Sequence, residues 1–167
     1  MTLKGWIARS IVAGSAGTLV HFLFMYFKSR FGLLPAFQPY HSFQIALSRW
    51  TGSDVPAIVP WLLSFLNGMA LIGLLFGRIF QRLPGRGGAA KGLSFGVIGW
   101  LLLNLAFFPL IDLGPFAIRV GAGIGPALLS LGMLLTYSIV LGIVYVALDH
   151  GFKNHPQATA RRLDKEF

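Results

Sequence analysis

Four long stretches of this chain contain no Asp, Glu, Lys or Arg. They run from Ser10 to Phe27, from Val55 to Gly77, from Gly92 to Ile111 and from Val120 to Leu148, with lengths of 18, 23, 20 and 29 residues. About 20 apolar residues are enough to cross the hydrocarbon core of a bilayer as a helix. The pattern therefore predicts an all-α integral membrane protein, a four-helix transmembrane bundle with spans at 6–27, 56–77, 92–112 and 126–148.

The first loop between spans predicts a further, shorter helix. Within residues 41–50, Phe43, Leu47 and Trp50 recur at helical spacing among polar residues. A helix with one apolar face and one polar face is typical of a segment lying in the membrane interface. We expect an interfacial helix there.

The composition fits a single membrane domain and excludes several kinds of chemistry. Of the 167 residues, 55% are hydrophobic and only 11% are charged, whereas about a quarter of the residues in a soluble domain are charged. We assign residues 1–150 to one four-span domain and residues 151–167 to a polar tail. The chain contains no cysteine, which excludes disulfides, thiolate catalysis and iron–sulfur ligation.

The basic residues predict the orientation of the bundle. Four spans place both termini and the middle loop on one side, and that side holds Lys4, Arg9, Arg78, Arg82, Arg86, Lys91, Lys153, Arg161, Arg162 and Lys165. The other side holds only Lys28, Arg30, Arg49 and Arg119. Since basic loops stay in the cytoplasm, both termini are predicted to be cytoplasmic. The net charge of +9 is explained by this topology, because the basic residues flank the apolar runs. We therefore expect no nucleic-acid partner.

Small residues recur four positions apart in every predicted span. The five pairs are Ser10 and Gly14, Ala13 and Gly17, Gly73 and Gly77, Gly92 and Gly96, and Ser138 and Gly142. This spacing gives smooth grooves in which membrane helices approach closely. Most of these grooves are expected to pack inside the bundle. With five stripes in four helices, at least one is expected to face a neighbouring subunit.

A few polar side chains fall inside the predicted spans: His21, Asn67, Asn104, Thr136, Tyr137 and Ser138. Counting along the spans places Asn67, Asn104 and Tyr137 near the midplane, and His21 one or two turns toward the outer face. Polar groups in hydrocarbon need partners. Hydrogen bonding between helices is one interpretation, and a small polar site near the bilayer centre is the other.

Catalytic, metal and cofactor chemistry find little support in the sequence. Both acidic residues near the spans, Asp112 and Asp149, lie at span ends, whereas proton-coupled pumps usually need buried carboxylates. No cluster of metal ligands is apparent, and no catalytic residue is assigned. A b-type haem on His21 is a remote alternative, because a second axial ligand would have to come from Met69, from Met133 or from His21 of another subunit.

Several segments of the chain resemble segments found in a known group of proteins. They are Lys91 to Trp100 followed by Pro109, Tyr137 to Tyr145, Ala8 to Gly14, and Gly32-Leu33-Leu34-Pro35. The pattern resembles that of small bacterial inner-membrane proteins of the YagU-like kind, which have no established biochemical function. The resemblance implies four spans in a bacterial inner membrane and adds no active site.

Two functions follow as hypotheses. The first is a non-enzymatic accessory or assembly subunit that acts through its helix surfaces, with lipid, copies of itself or other membrane subunits as partners. It depends on the surplus of small-residue stripes. The alternative is a passive pathway, or a site for a lipid or quinone-like molecule, lined by His21, Asn67, Asn104 and Tyr137.

Overall fold

A computed structural model describes the backbone of residues 3–163 and the side chains of residues 5–149. Over this range the chain forms no strand and five mainly α-helical elements: α1 (Leu3–Arg30), α2 (Pro39–Thr51), α3 (Ile58–Arg82), α4 (Gly87–Leu110) and α5 (Gly125–Leu163). A short 3₁₀ segment, Pro115–Val120, lies between α4 and α5. Four segments are long and apolar enough to cross a membrane: Gly5–Arg30, Ile58–Arg82, Gly87–Leu110 and Gly125–Asp149. The predicted four-span helical fold is confirmed. The prediction of a polar tail at 151–167 falls on side chains outside the described residues.

The four long helices pack in the order α3–α1–α5–α4. The two central helices, α1 and α5, contact each other along their length, while α3 packs on α1 and α4 packs on α5. We call the end that holds Leu3, Arg82, Gly87 and Asp149 the terminal end, and the other the loop end. At the terminal end α3 and α4 also meet, with the rings of Phe76 and Phe95 5.2 Å apart.

The short helix predicted at 41–50 is present as α2 and lies across the loop end. Pro39 suits its first turn, where a missing N–H costs little, and Gly52 ends it in the left-handed conformation with φ +68°. Its side chains join the two outer helices, since Tyr40 hydrogen-bonds Ser64 of α3 and the ring of Phe43 lies 5.3 Å from that of Phe107 in α4.

Both outer helices contain a segment of wider π-helical turns. In α3 this segment is Asn67–Ile72, and in α4 it is Leu103–Phe107. Insertions of this type interrupt the regular hydrogen-bond ladder and are often found at functional sites. Each segment includes one of the asparagines that the sequence places near the midplane.

Candidate functional site

The polar residues of the spans do not form one cluster. They divide into a contact at the π segment of α3, a contact at the π segment of α4, a hydrogen-bonded chain near the loop end, and one amide at the surface.

Tyr137 of α5 is bound to the π segment of α3. Its hydroxyl donates to the carbonyl oxygen of Gly68 at 2.7 Å, and the tyrosine is buried. A side chain at position 68 would not fit, because an added Cβ would lie 2.4 Å from Oγ1 of Thr18 in α1. Three helices therefore meet at this point, and the tyrosine satisfies a backbone carbonyl within the bilayer.

Asn104 is fully buried at the π segment of α4. Its Nδ2 donates to the carbonyl of Trp100 at 2.9 Å and to Oγ of Ser130 in α5 at 3.3 Å. Its Oδ1 has no hydrogen-bond partner among the described residues. Ser130 in turn donates to the carbonyl of Ala127. The amide thus links α4 to α5 through a single contact and leaves one acceptor unused.

The two remaining candidates in α5, Thr136 and Ser138, take part in helix structure and helix packing. Thr136 donates to the carbonyl of Gly132 one turn earlier at 2.7 Å, which is a common way for a membrane helix to satisfy a hydroxyl. Ser138 is buried against α4, where a Cβ added at Gly92 would lie 2.1 Å from its carbonyl oxygen. Neither side chain contacts the other candidates through any hydrogen bond of the described region.

His21 belongs to a chain of hydrogen bonds nearer the loop end. Its Nε2 lies 3.0 Å from the hydroxyl of Tyr40, which lies 3.0 Å from Oγ of Ser64, so the chain links α1, α2 and α3. Burial raises the pKa of the Tyr40 phenol, and the hydrogen bond with Ser64 opposes this shift to a smaller degree. A haem iron at Nε2 would first have to displace Tyr40. Tyr40 could not be found as a site residue from the sequence, because its position depends on how α2 folds back over the bundle.

Asn67 is the exception among the polar candidates, because it is exposed on the surface of α3. Its side chain takes part in no hydrogen bond within the described part of the chain. The residues one and two turns away, Leu63, Leu71 and Leu75, are exposed as well. We call these four residues, Leu63, Asn67, Leu71 and Leu75, the Asn67 face.

All five small-residue stripes are used inside the bundle. Gly73 and Gly77 pack on Ser10 and Gly14 of α1, and Gly17 packs on Tyr137 of α5. Gly92 and Gly96 pack on Ser138, and Gly142 packs on Gly88. The prediction that one stripe would be left for a neighbouring subunit is wrong, because these stripes make the α1–α3, α1–α5 and α4–α5 contacts.

An ion pair that sequence reasoning missed joins the two central helices at the terminal end. The guanidinium of Arg9, only 3% exposed, binds the carboxylate of Asp149 and lies 5.6 Å from the centre of the Tyr145 ring. The sequence predicts Asp149 at a span end and Arg9 among the basic residues on the same side of the membrane. That shared side is the only signal in the sequence that points to the pair.

No group of three or more His, Asp or Glu side chains in the described range could hold a metal ion. No curated protein and no solved structure matches this chain. A family model does match, over residues 5–155, and the chain belongs to that family, described as a family of unknown function, DUF6789.

Proposed function

We propose that this protein is a non-enzymatic accessory or assembly subunit that associates with a second copy of itself through the Asn67 face. The observation that carries the proposal is the exposed amide of Asn67. It comes nine positions after Ile58, the first residue of α3, so it lies about 14 Å along the helix from the start of the span. A bilayer core is about 30 Å thick, which places the amide near its centre.

An amide facing lipid at that depth lacks any partner for its N–H and C=O groups. Leaving a polar group without a hydrogen bond in hydrocarbon costs several kcal/mol per group. A second copy removes this cost. An asparagine side chain both donates and accepts, so two such amides related by a two-fold axis along the membrane normal satisfy each other.

The surroundings of Asn67 support the same interpretation. Leu63, Leu71 and Leu75 are four-residue neighbours along one side of the helix, and their exposed side chains can pack around the paired amides. Polar side chains of this kind stabilise contacts between membrane helices, because the hydrophobic effect does not drive helices together within lipid. The small-residue stripes no longer support association, since each is occupied within the chain.

A midplane site for a lipid or quinone-like molecule is favoured less by the geometry. His21, Asn104 and Tyr137 are each engaged in a different contact, with Tyr40, Ser130 and the Gly68 carbonyl respectively. No hydrogen bond of the described region joins any two of the four residues expected to line such a site. We also propose that the protein is related to the YagU-like proteins, and that it lies in a bacterial inner membrane with both termini in the cytoplasm.

The Asn67→Leu variant tests the proposed association. Hydrogen bonds between membrane helices contribute on average about 0.6 kcal/mol and at most about 1.7 kcal/mol, so the dissociation constant of the dimer should rise about 3- to 20-fold. The measurement is energy transfer between labelled copies in lipid vesicles, over a range of protein-to-lipid ratios.

Leu102→Ala serves as the control, because Leu102 is an equally exposed leucine that belongs to α4 and not to the Asn67 face. It should leave the dissociation constant unchanged. A wild-type chain that stays monomeric at every ratio, or an Asn67→Leu variant that associates like wild type, contradicts the proposal. Association with a different membrane protein alone would also overturn it.

A further inference from the structure

A separate polar region lies at the loop end, away from the Asn67 face. A cavity of about 420 Å³ opens there between the last turn of α1, the loop that follows it, the first turns of α2 and the start of α3. Its polar lining includes Lys28, Gln38, Tyr40, His41 and Gln44. None of the described residues around it is acidic.

Lys28 is the notable member of this lining. It is only 7% exposed, although its side chain ends in an ammonium group. Its Nζ donates to the carbonyl of Leu34 at 3.3 Å and lies 5.9 Å from the centre of the Phe37 ring. The three ion pairs formed by described side chains do not include it. This buried positive charge therefore has no counter-ion among the described side chains, and its ammonium can donate up to three hydrogen bonds.

The neighbouring amides are already engaged. Nε2 of Gln38 donates to the carbonyl of Pro35 at 3.0 Å, and Nε2 of Gln44 donates to the carbonyl of Val55 at 2.7 Å. These bonds hold the walls of the cavity in place. The donors available to an incoming group are Lys28, the hydroxyl of Ser29 and the exposed His41.

An apolar cavity of about 540 Å³ lies beside the polar one. The two share Gly32 and Leu33 as a common wall. Phe24 of α1 and Leu128 and Leu129 of α5 line the apolar cavity. A cationic polar cavity next to an apolar groove is complementary to an amphiphile with an anionic head.

The polar cavity lies at a depth in the bilayer that suits the headgroup of such an amphiphile. Trp61 lines the polar cavity and stacks on Tyr40 with ring centres 3.9 Å apart. Tryptophan and tyrosine favour the headgroup level of a bilayer, where lipid phosphates lie.

We propose that these adjoining cavities bind one membrane lipid with a net negative phosphodiester headgroup, its phosphate paired with Lys28 and an acyl chain in the groove between α1 and α5. The supporting observations are the uncompensated charge of Lys28, the absence of acidic lining and the shared wall of the two cavities. The site is independent of the Asn67 face.

The test is native mass spectrometry of the full-length protein in mild detergent, titrated with phosphatidylglycerol and with phosphatidylcholine carrying the same acyl chains. Phosphatidylglycerol should bind about tenfold more tightly to the wild type, because the choline group of phosphatidylcholine adds a positive charge that Lys28 repels. Lys28→Met should abolish that preference. Lys91→Met is the matched control, because Lys91 also donates to a carbonyl, that of Phe80, and lies over an aromatic ring. It should keep the preference.

A second variant guards against a folding defect in Lys28→Met. Leu33→Trp enlarges an exposed side chain on the shared wall, and it should lower phosphatidylglycerol binding without loss of helicity. Equal binding of both lipids by the wild type, or an unchanged preference in both variants, overturns the proposal. Displacement of the lipid by millimolar inorganic phosphate would also overturn it, because the site would then recognise free phosphate. Asn67→Leu should bind the lipid like wild type, which separates this test from that of the dimer.

Discussion

At the residue scale, the buried polar side chains of the spans differ in how completely they are satisfied. The hydroxyl of Tyr137 makes one good bond to the Gly68 carbonyl. Asn104 donates twice but leaves its Oδ1 without a partner in the described region. A buried acceptor without a partner costs free energy. Tyr137 and Asn104 are both polar residues near the predicted midplane, yet removing their polar groups should affect the stability of the protein differently.

We expect Tyr137→Phe to lower the free energy of unfolding by roughly 0.6 to 1.7 kcal/mol, because the Gly68 carbonyl loses its donor. Asn104→Leu should leave stability unchanged or raise it, since it removes the unused acceptor and Ser130 keeps its bond to Ala127. Denaturation in mixed detergent micelles, followed by circular dichroism, measures both. A greater loss in Asn104→Leu than in Tyr137→Phe would contradict this account of the π segments.

At the element scale, close backbone contact at glycines determines which helices are neighbours. Gly92 and Gly88 bring α4 against α5, and Gly73 brings α3 against Ser10 of α1. The four-residue spacing predicted such grooves from the sequence. It could not show which grooves meet, because every span carries one and the pairing depends on the complete bundle.

Gly92→Ala should destabilise the α4–α5 contact by about 1 to 3 kcal/mol, the usual cost of overpacking. The added Cβ would lie 2.1 Å from the backbone oxygen of Ser138, which cannot move aside alone. Gly99→Ala is the control on the same helix, since its Cβ would lie 3.4 Å from the side chain of Leu134. It should be neutral or stabilising, because alanine favours helix. Thermal melts of both variants in one detergent decide the matter, and equal melting temperatures would count against the packing described.

At the scale of the whole molecule, the number of spans and the short α2 could be predicted because charge-free length and helical spacing are local properties. The π segments, the exposure of Asn67 and the pairing of Arg9 with Asp149 could not. Each depends on which face of a helix meets another, and the apolar residues of a membrane span surround all its faces. Asn67 and Asn104 share a predicted depth, yet one faces outward and the other is 0% exposed.

The orientation of the bundle in the membrane is also a property of the whole molecule. Arg78, Arg82 and Arg86 lie near the terminal end and are exposed, so that end should face the cytoplasm. Because the chain has no cysteine, a single cysteine at the exposed position 86 or 53 can be labelled without background. In intact cells an impermeant thiol reagent should modify position 53 and spare position 86. The opposite pattern would reverse the topology.

The central claim is that the Asn67 face joins two copies of the chain, and cysteine cross-linking in native membranes tests it most directly. Leu71→Cys keeps Asn67 and is placed one turn away on the same face, while Leu102→Cys is its control on α4; the two leucines are 65% and 63% exposed. Disulfides form only where Cα atoms come within about 7 Å. We expect an oxidised dimer from Leu71→Cys, little from Leu102→Cys, and a weaker dimer when Asn67→Leu is added to Leu71→Cys. Cross-linking at position 102 but not at position 71, or a yield at position 71 that does not depend on Asn67, would contradict the account.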